Sequence, residues 1–393
     1  MNRRIGATVI VLSLLATVAL IPGFLLLQSG KPADSGDLLL GAKGEPSSSW
    51  INDVPVHSGV GSDSSPTMTS DGDVLYTAFS RFDDATGFYR IAVMMSTDGG
   101  VTWSQAGDLS PGPNNCTYPA ILVYFGSLYV AFQYEVSASD HDVYCYVSPT
   151  GGTGPWTSYG VRTDSNDDRL PAIGAVTESN YFGVYVVLEN RRGGLEGSDL
   201  LMYRSTGAAF SFVNTIIGSG NSSEYTSPDI TVYQEVNNPS IYVGFERSSG
   251  GQRDVCFVWS NNGGTTWSSL YQVAFALEDE YAPSISASQN FLLIAYLVWN
   301  GDPDLYVRVW NGVTFGSPYP LSASADYEGW PEVLNLQSDF YVIYARGTGY
   351  TNGNVFLQTA TGAQNPVWSY PYLISDYAAA AEAGYSPGLA LCD

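Results

Sequence analysis

The sequence has little positive charge, and its only lysines are Lys31 and Lys43. Lysine and arginine together number 15 against 38 acidic residues, so the formal net charge is −23. This balance argues against a nucleic-acid partner, because binding to a phosphate backbone requires a basic surface. Charged residues make up only 13% of the chain while hydrophobic residues make up 45%, which argues against a coiled coil or a disordered chain.

Histidine and cysteine are also scarce. The two histidines, His57 and His141, form no pair in the sequence, which argues against a zinc hydrolase and against a Ser-His-Asp triad. The four cysteines match no metal motif, and their spacing selects none of the three possible pairings. In an exported chain, one or two disulfides are expected among them: Cys116, Cys145, Cys256 and Cys392.

The N-terminal segment predicts export. Arg3 and Arg4 precede an uncharged stretch from Ile5 to Leu27, which exceeds the roughly 20 residues that a membrane-spanning helix needs. The arginines favour a cytoplasmic N-terminus with the remainder outside. We therefore expect a signal anchor over residues 1–28, with a cleaved signal peptide as the alternative. A flexible linker is expected over 29–49 and an extracytoplasmic domain over 50–393.

A repeat fills the predicted domain. A proline followed by a short apolar run recurs at intervals of 48 to 57 residues, at Pro66, Pro119, Pro171, Pro228, Pro283, Pro331 and Pro387. The first six copies continue into three more short runs rich in valine, isoleucine, tyrosine and phenylalanine, separated by turn residues. This pattern predicts an all-β propeller of four-stranded antiparallel blades. Six blades are complete, and "WINDVPV" from Trp50 and "SPGLALCD" ending at Asp393 are interpreted as remnants of a seventh.

Two turns between third and fourth strands are near copies, "STDGGVTWS" from Ser96 and "SNNGGTTWS" from Ser260. In the first, Asp98 is expected to accept hydrogen bonds from its own turn, and the glycines suit positive φ. The pattern Ser-x-Asp-x-Gly-x-Thr-Trp resembles that of the sialidase-type Asp-box, or BNR-repeat, propellers. The resemblance implies a structural role, on the face away from the catalytic side, for Ser96, Asp98, Gly100, Trp103, Ser260, Asn262, Gly264 and Trp267.

The opposite face is expected to carry the ligand site, because first-strand starts and second-to-third-strand loops meet there above the channel. Sialidases hold the substrate carboxylate with three arginines and use a Tyr–Glu pair as nucleophile. The resemblance therefore implies a catalytic set of Arg169, Arg247, Arg346, Glu280 and Tyr281, and the loop positions predict further ligand contacts at Tyr118, Tyr225, Glu328 and Trp330. Arg169 lies in an Arg-Leu-Pro motif that resembles the family's Arg-Ile-Pro. It departs from the family's pattern because it lies in the third repeat unit, after the turn at Ser96 that matches the Asp-box best, rather than before that turn. The alternative is that these arginines pair with neighbouring acidic residues.

The expected partner is a glycan or glycoprotein, bound or hydrolysed by a monomeric propeller that is membrane-anchored or secreted. No cofactor is expected, although two acidic stretches, 164–168 and 300–304, offer the oxygen ligands that Ca²⁺ takes. Neither stretch has EF-hand spacing, so solvated acidic loops are the alternative. The alternative function is a non-enzymatic cell-surface propeller for protein interaction or envelope structure, because the fold alone does not define activity.

Overall fold

The chain is described by a computed structural model. The described residues are 54–57, 62–177, 179–192, 197–207, 209–218, 220, 223–234, 239–274, 277–288, 291–336, 339–349, 352–361 and 366–374. Within these ranges the chain forms β-strands and one short 3₁₀ helix, Ser179–Tyr181. The strands form six antiparallel sheets, and each sheet is built from strands that are consecutive in the sequence.

The first three sheets, or blades, run in sequence order from their inner to their outer strand. Blade 1 comprises β1 (Asp63–Asp71), β2 (Val74–Asp83), β3 (Phe88–Ser96) and β4 (Ser104–Leu109). Blade 2 comprises β5 (Cys116–Tyr124), β6 (Ser127–Ser137), β7 (Asp140–Ser148) and β8 (Thr157–Arg162). Blade 3 comprises β9 (Asp167–Val176), β10 (Gly183–Arg191), β11 (Ser198–Ser205) and β12 (Ser211–Ile217).

The last three blades repeat this order with shorter outer strands. Blade 4 comprises β13 (Glu224–Tyr233), β14 (Ser240–Ser249), β15 (Gln252–Ser260) and β16 (Tyr271–Gln272). Blade 5 comprises β17 (Glu280–Ser288), β18 (Phe291–Trp299), β19 (Pro303–Trp310) and β20 (Tyr319–Ser322). Blade 6 comprises β21 (Tyr327–Leu336), β22 (Asp339–Gly349), β23 (Asn352–Thr361) and β24 (Val367–Trp368), with β25 (Tyr372–Leu373) also pairing with β23.

The blades form a six-bladed β-propeller, as the repeat predicts. Their first strands contact one another in succession, β1 to β5, β5 to β9 and so on to β21, and surround a central channel. Both predicted remnants of a seventh blade fall mostly outside the described residues, as do the predicted anchor (1–28) and linker (29–49). In the part of the chain that is described, no helix has the length and apolarity to span a membrane.

The hydrophobic core lies between neighbouring blades. Alternation along each strand directs valine, isoleucine, leucine and aromatic side chains to both faces of a sheet, and each face packs on the next blade. Between blades 3 and 4, for example, Tyr185 and Met202 pack with Val243 and Phe245 in one buried cluster. Burial on both faces is why the second strands, such as β2 and β18, read as near-continuous apolar runs.

The expected disulfides do not form among the cysteines that are described. Cys116, Cys145 and Cys256 are buried free thiols, while Cys392 lies outside the described residues. Cys116 and Cys145 share blade 2 but lie on β5 and β7, which are separated by β6. Two strand spacings amount to roughly 9.5 Å, beyond the roughly 7 Å that a disulfide can bridge between Cα atoms.

The two similar turns share one hydrogen-bond pattern. The Ser96 hydroxyl accepts from the Gly100 N–H (2.8 Å) and donates to Asp98 (2.8 Å), and Ser260 does the same with Gly264 and Asn262. Asp98 also accepts from Thr102, and these hydrogen bonds lower its pKa to about 2. Their position between third and fourth strands suits a structural role, and their assignment to the sialidase-type repeat stays a prediction.

Replacing Ser96 by alanine should lower the free energy of unfolding by about 1–3 kcal/mol, because the buried Gly100 N–H then has no acceptor. Ser260→Ala should cost a similar amount through Gly264. Ser104→Ala, at an exposed position, is the control. Urea unfolding followed by tryptophan fluorescence would measure all three variants, and equal midpoints would show that the serine does not support the turn.

Candidate functional site

First-strand starts and second-to-third-strand hairpins lie at the same end of the blades. The antiparallel registers show this directly, since Asp63 at the start of β1 pairs with Arg81 near the end of β2. Glu224 pairs in the same way with Ser248 in blade 4. We call this end of the central channel the channel mouth. All the residues predicted to contact a ligand lie on strands at this end.

Every first strand carries a β-bulge at the repeated proline. The residue before each proline has a positive φ of 45° to 53°, and these residues are Ser65, Tyr118, Leu170, Ser227, Ala282 and Trp330. The register between first and second strands shifts at the same point in all six blades. The X-Pro step recurring in the sequence therefore marks a structural feature that is repeated around the channel.

These bulges are strained, and the strain has a geometric consequence. A non-glycine residue in the left-handed region costs on the order of 1–3 kcal/mol, and such residues concentrate at functional sites. A bulge also redirects the side chain away from the ordinary pleat. Tyr118 in blade 2 is 48% exposed and Trp330 in blade 6 is 40% exposed. Two large aromatic side chains are thus presented to solvent at the channel mouth.

Polar side chains from the preceding blade hold three of the bulges. Gln133 accepts from the Leu170 N–H (3.1 Å), and Glu246 accepts from the Ala282 N–H (3.0 Å). Glu189 occupies the matching position in blade 3 and accepts from the Thr226 hydroxyl (2.6 Å). Burial raises the pKa of Glu246, although these hydrogen bonds favour its charged form. The strained geometry is therefore stabilised by contacts between blades.

A histidine, an aspartate and an arginine form one hydrogen-bonded group between blades 2 and 3. Asp167 Oδ1 lies 2.8 Å from His141 Nδ1 and accepts a 2.8 Å hydrogen bond from Arg169 Nε. Burial alone would raise the pKa of Asp167, but the hydrogen bonds from Arg169 and His141 lower it below its ordinary value. The carboxylate therefore stays ionised and orients both partners, which places an imidazole beside a guanidinium at the channel mouth.

Behind this group lies a buried ion pair. Arg162 Nε contacts Asp168 at 3.0 Å, and Asn190 donates to the same carboxylate at 2.7 Å. Burial raises the pKa of Asp168 to about 7 even though both partners favour its ionised form. The pKa of Asp142 nearby is raised to about 6 by burial and by Asp140 and Asp164. The charge of this acidic region therefore changes with pH in the range of about 6 to 7.

The other two arginines predicted to hold a substrate carboxylate, Arg247 and Arg346, lie in blades 4 and 6. Arg247 on β14 pairs in register with Tyr225, and Arg346 on β22 pairs with Glu328. Arg346 stacks 4.2 Å from the Phe356 ring, and its Nε lies 3.8 Å from Asp326. The three arginines thus lie in blades 3, 4 and 6, and Arg169 belongs to the hydrogen-bonded group that it forms with Asp167 and His141.

Three further predicted residues lie away from solvent. Glu280 is fully buried and accepts from the Val255 N–H of blade 4. Glu328 is also fully buried and accepts from the hydroxyls of Ser322 and Ser324. Tyr225 is packed in the core, edge-on to Phe245 at 5.7 Å. The three side chains are covered by protein, because the neighbouring blade packs over alternate side chains of each first strand.

Tyr281 and the acidic stretches are likewise engaged within the fold. The Arg253 guanidinium covers the Tyr281 ring at 4.6 Å, and Asp279 pairs with Arg253. Asp164 and Asp168 both pair with Arg162. Among the residues that the structure describes, no three His, Cys, Asp or Glu side chains group together in a way that would hold a metal ion.

Sequence reasoning missed His141 and the bulges, although both have sequence signals. "DHD" at 140–142 begins the third strand of blade 2, next to the start of the first strand of blade 3, where "DSNDDR" runs from Asp164. The fixed order of blades brings these two segments together. The bulges were signalled by a proline at the same place in six repeats, since only a special backbone explains so regular a position.

Comparison with known proteins supports the fold. No protein-family model and no curated protein matches this chain. A solved ulvan lyase of family PL25, bound to a glucuronate–sulfated rhamnose unit, superposes with a TM-score of 0.56 at 10% identity, over 78% of this chain and 82% of that chain. An α-L-arabinofuranosidase of Fusarium graminearum superposes with a TM-score of 0.51 at 10% identity, over 72% and 88%.

A Trypanosoma rangeli sialidase with bound sialic acid superposes with a TM-score of 0.49 at 15% identity, over 80% of this chain and 56% of that chain. At these identities the likeness concerns the fold alone. The chemistry must therefore be argued from this chain's own residues.

Proposed function

We propose that this protein is an extracytoplasmic propeller that binds, and in the fuller form of the proposal hydrolyses, glycans at its channel mouth. The observation that carries the proposal is the ring of strained X-Pro bulges, which presents Tyr118 and Trp330 to solvent. Aromatic faces pack well against the apolar faces of sugar rings. The neighbours with similar folds act on glycans by their own descriptions, which supports this choice of ligand.

Arg169 supplies the charge chemistry of the proposed site. Asp167 engages its Nε, and the guanidinium carries further N–H donors in a planar fork that suits a carboxylate. The side chain is 28% exposed, so a ligand has access to it. A glycan with a carboxylate on one ring and an apolar face on the next therefore matches Arg169 and Tyr118.

The proposal favours binding over hydrolysis of the sialidase type. That mechanism would place Glu280 and Tyr281 beside the substrate, but Glu280 is buried and Arg253 covers the Tyr281 ring. His141, held by Asp167 next to Arg169, is the acid–base group at the channel mouth that a glycan-processing reaction would use. Hydrolysis thus requires a nucleophile other than the Tyr–Glu pair that the resemblance implies.

The second candidate is a non-enzymatic surface propeller for protein interaction or envelope structure. The favouring observation is that Arg169 and Arg346 each lie near an acidic residue of the same blade, Asp167 and Asp326. Exposed pairs of this kind need no ligand to explain them. Failure to bind any glycan would favour this candidate.

We also propose that residues 1–28 hold the protein in a membrane with the propeller outside. The support is the uncharged stretch from Ile5 to Leu27 behind two arginines. Protease added to intact cells should degrade the propeller while an intracellular control survives. Protection of the propeller under those conditions would contradict the proposal.

Tyr118→Ala should weaken glycan binding about ten-fold, because aromatic packing contributes on the order of 0.5–1.5 kcal/mol beyond the buried area. Arg169→Ala should remove binding of carboxylated glycans while neutral glycans still bind. Full-length protein in detergent, applied to a glycan array and to fluorogenic glycosides, would give both readouts. Phe125→Ala is the control, since this residue is exposed on the β5–β6 turn at the far end of the channel.

A further inference from the structure

A cleft opens at the channel-mouth end of the blades, near the rim between blades 1 and 2. Its volume is about 310 Å³, which is at the small end of the range for ligand sites. One wall comes from the β2–β3 hairpin, with Thr86, Phe88 and Arg90, and the other from residues 110–114, which connect blade 1 to blade 2. The cleft therefore lies apart from Arg169, which belongs to blade 3.

The hairpin wall presents an aromatic ring beside a guanidinium. Phe88 and Arg90 are two residues apart on β3, so they lie on the same face of the strand. Tyr89, on the other face, packs against Phe82 with ring centroids 5.3 Å apart. Asp83 fixes the hairpin tip by accepting from the Thr86 hydroxyl (2.9 Å) and the Ala85 N–H (3.1 Å). The wall is thus held in place without a ligand.

The opposite wall is tied to the hairpin through Asn115. The Asn115 side chain accepts from the Tyr89 N–H (3.0 Å) and donates to Glu135 of blade 2 (2.6 Å). Two prolines, Pro111 and Pro113, limit the backbone freedom of the connecting segment. Both walls are therefore preorganised, which lowers the conformational entropy lost on binding.

Arg90 is the charged residue among those that line the cleft. Arg81 and Arg90 share one carboxylate, Asp108, at 3.2 Å and 3.1 Å. Arg90 uses its Nε for this contact and is 28% exposed, so the outer edge of its guanidinium can face a ligand. The planar guanidinium of Arg90 carries N–H donors besides the one on Asp108, and this fork suits a carboxylate group.

The cleft and the proposed site at Tyr118 are close along the chain. Asn114 in the cleft wall precedes Tyr118 by four residues, and four extended residues span at most about 14 Å. Resting on the proposed function, we propose that this cleft is a second saccharide subsite. It takes a uronic-acid residue against Phe88 and Arg90, so that the ligand is an acidic oligosaccharide chain reaching from the channel mouth to the rim.

The test measures affinity against chain length. Full-length protein in detergent is titrated calorimetrically with galacturonate, mannuronate and glucuronate oligosaccharides from one residue to about six, and with uncharged cello-oligosaccharides. Affinity for uronates should rise at least ten-fold with length. Phe88→Ala and Arg90→Gln should each remove most of that gain without changing binding of the shortest sugars. The controls are Phe125→Ala and Arg204→Gln, since Arg204 bonds to the Phe182 carbonyl at the far end of the blades.

Arg90→Lys guards against misfolding, because it keeps the charge next to Asp108 but loses the planar fork, and it should retain part of the gain. A length-independent affinity, or a gain that survives Phe88→Ala and Arg90→Gln in folded protein, would overturn the subsite while leaving the proposed function intact. If the protein binds only neutral glycans, the proposal that the ligand is an acidic oligosaccharide is wrong, while glycan binding itself stands. If no saccharide of any length binds, both the subsite and the proposed function fail.

Discussion

Replacing Phe257 by alanine should lower the free energy of unfolding by about 3–5 kcal/mol, the range for removing a fully buried phenylalanine from a packed core. Phe257 stacks on Tyr271 of its own blade at 5.1 Å. It also meets Trp310 and Phe315 of blade 5 edge-on, each at 5.5 Å. Loss of this ring removes contacts on both sides of the boundary between blades 4 and 5.

The measurement is urea unfolding of the variant and of wild type, followed by fluorescence and by circular dichroism. Leu277→Ala is the control, because this side chain is 94% exposed and its removal should change stability by no more than about 0.5 kcal/mol. A loss of less than about 1 kcal/mol for Phe257→Ala would contradict the idea that aromatic packing joins these blades.

Stability should fall as pH rises from about 4 to about 7. Burial raises the pKa of Asp168 to about 7 and that of Asp142 and Asp229 to about 6. The folded state therefore binds more protons than the unfolded state in this interval, and the free energy of unfolding decreases with pH. For Asp168, a rise from 3.8 to about 7 corresponds to roughly 4 kcal/mol at about 1.4 kcal/mol per pKa unit.

The low-pH limb has the opposite sign. The pKa of Asp98 is lowered to about 2, so its contribution is present above the ordinary carboxylate pKa and is lost as pH falls toward 2. Maximal stability is therefore expected near pH 4. Asp168→Asn should flatten the decrease between about pH 4 and 7, whereas Asp98→Asn should leave that slope unchanged. Parallel curves for wild type and Asp168→Asn would refute the assignment to Asp168.

The sequence alone was sufficient for the architecture. Alternating apolar runs and turn residues are local signals, and their recurrence from Pro66 to Pro331 determined the number of complete blades and the order of the strands within each blade. The repeated proline even marked the bulges, although their positive φ was not inferred. Sequence spacing left the cysteine pairing open, because it does not reveal that β6 separates Cys116 from Cys145.

Only the tertiary structure decided which side chains meet at the channel mouth. Loop position placed Tyr118, Tyr225 and Glu280 alike at this end, yet the neighbouring blade leaves the first exposed and buries the other two. The contacts of His141 with Asp167 and of Glu246 with Ala282 likewise join residues of successive blades. Periodicity along one strand cannot specify such contacts, because they depend on how each blade is rotated and packed against the next.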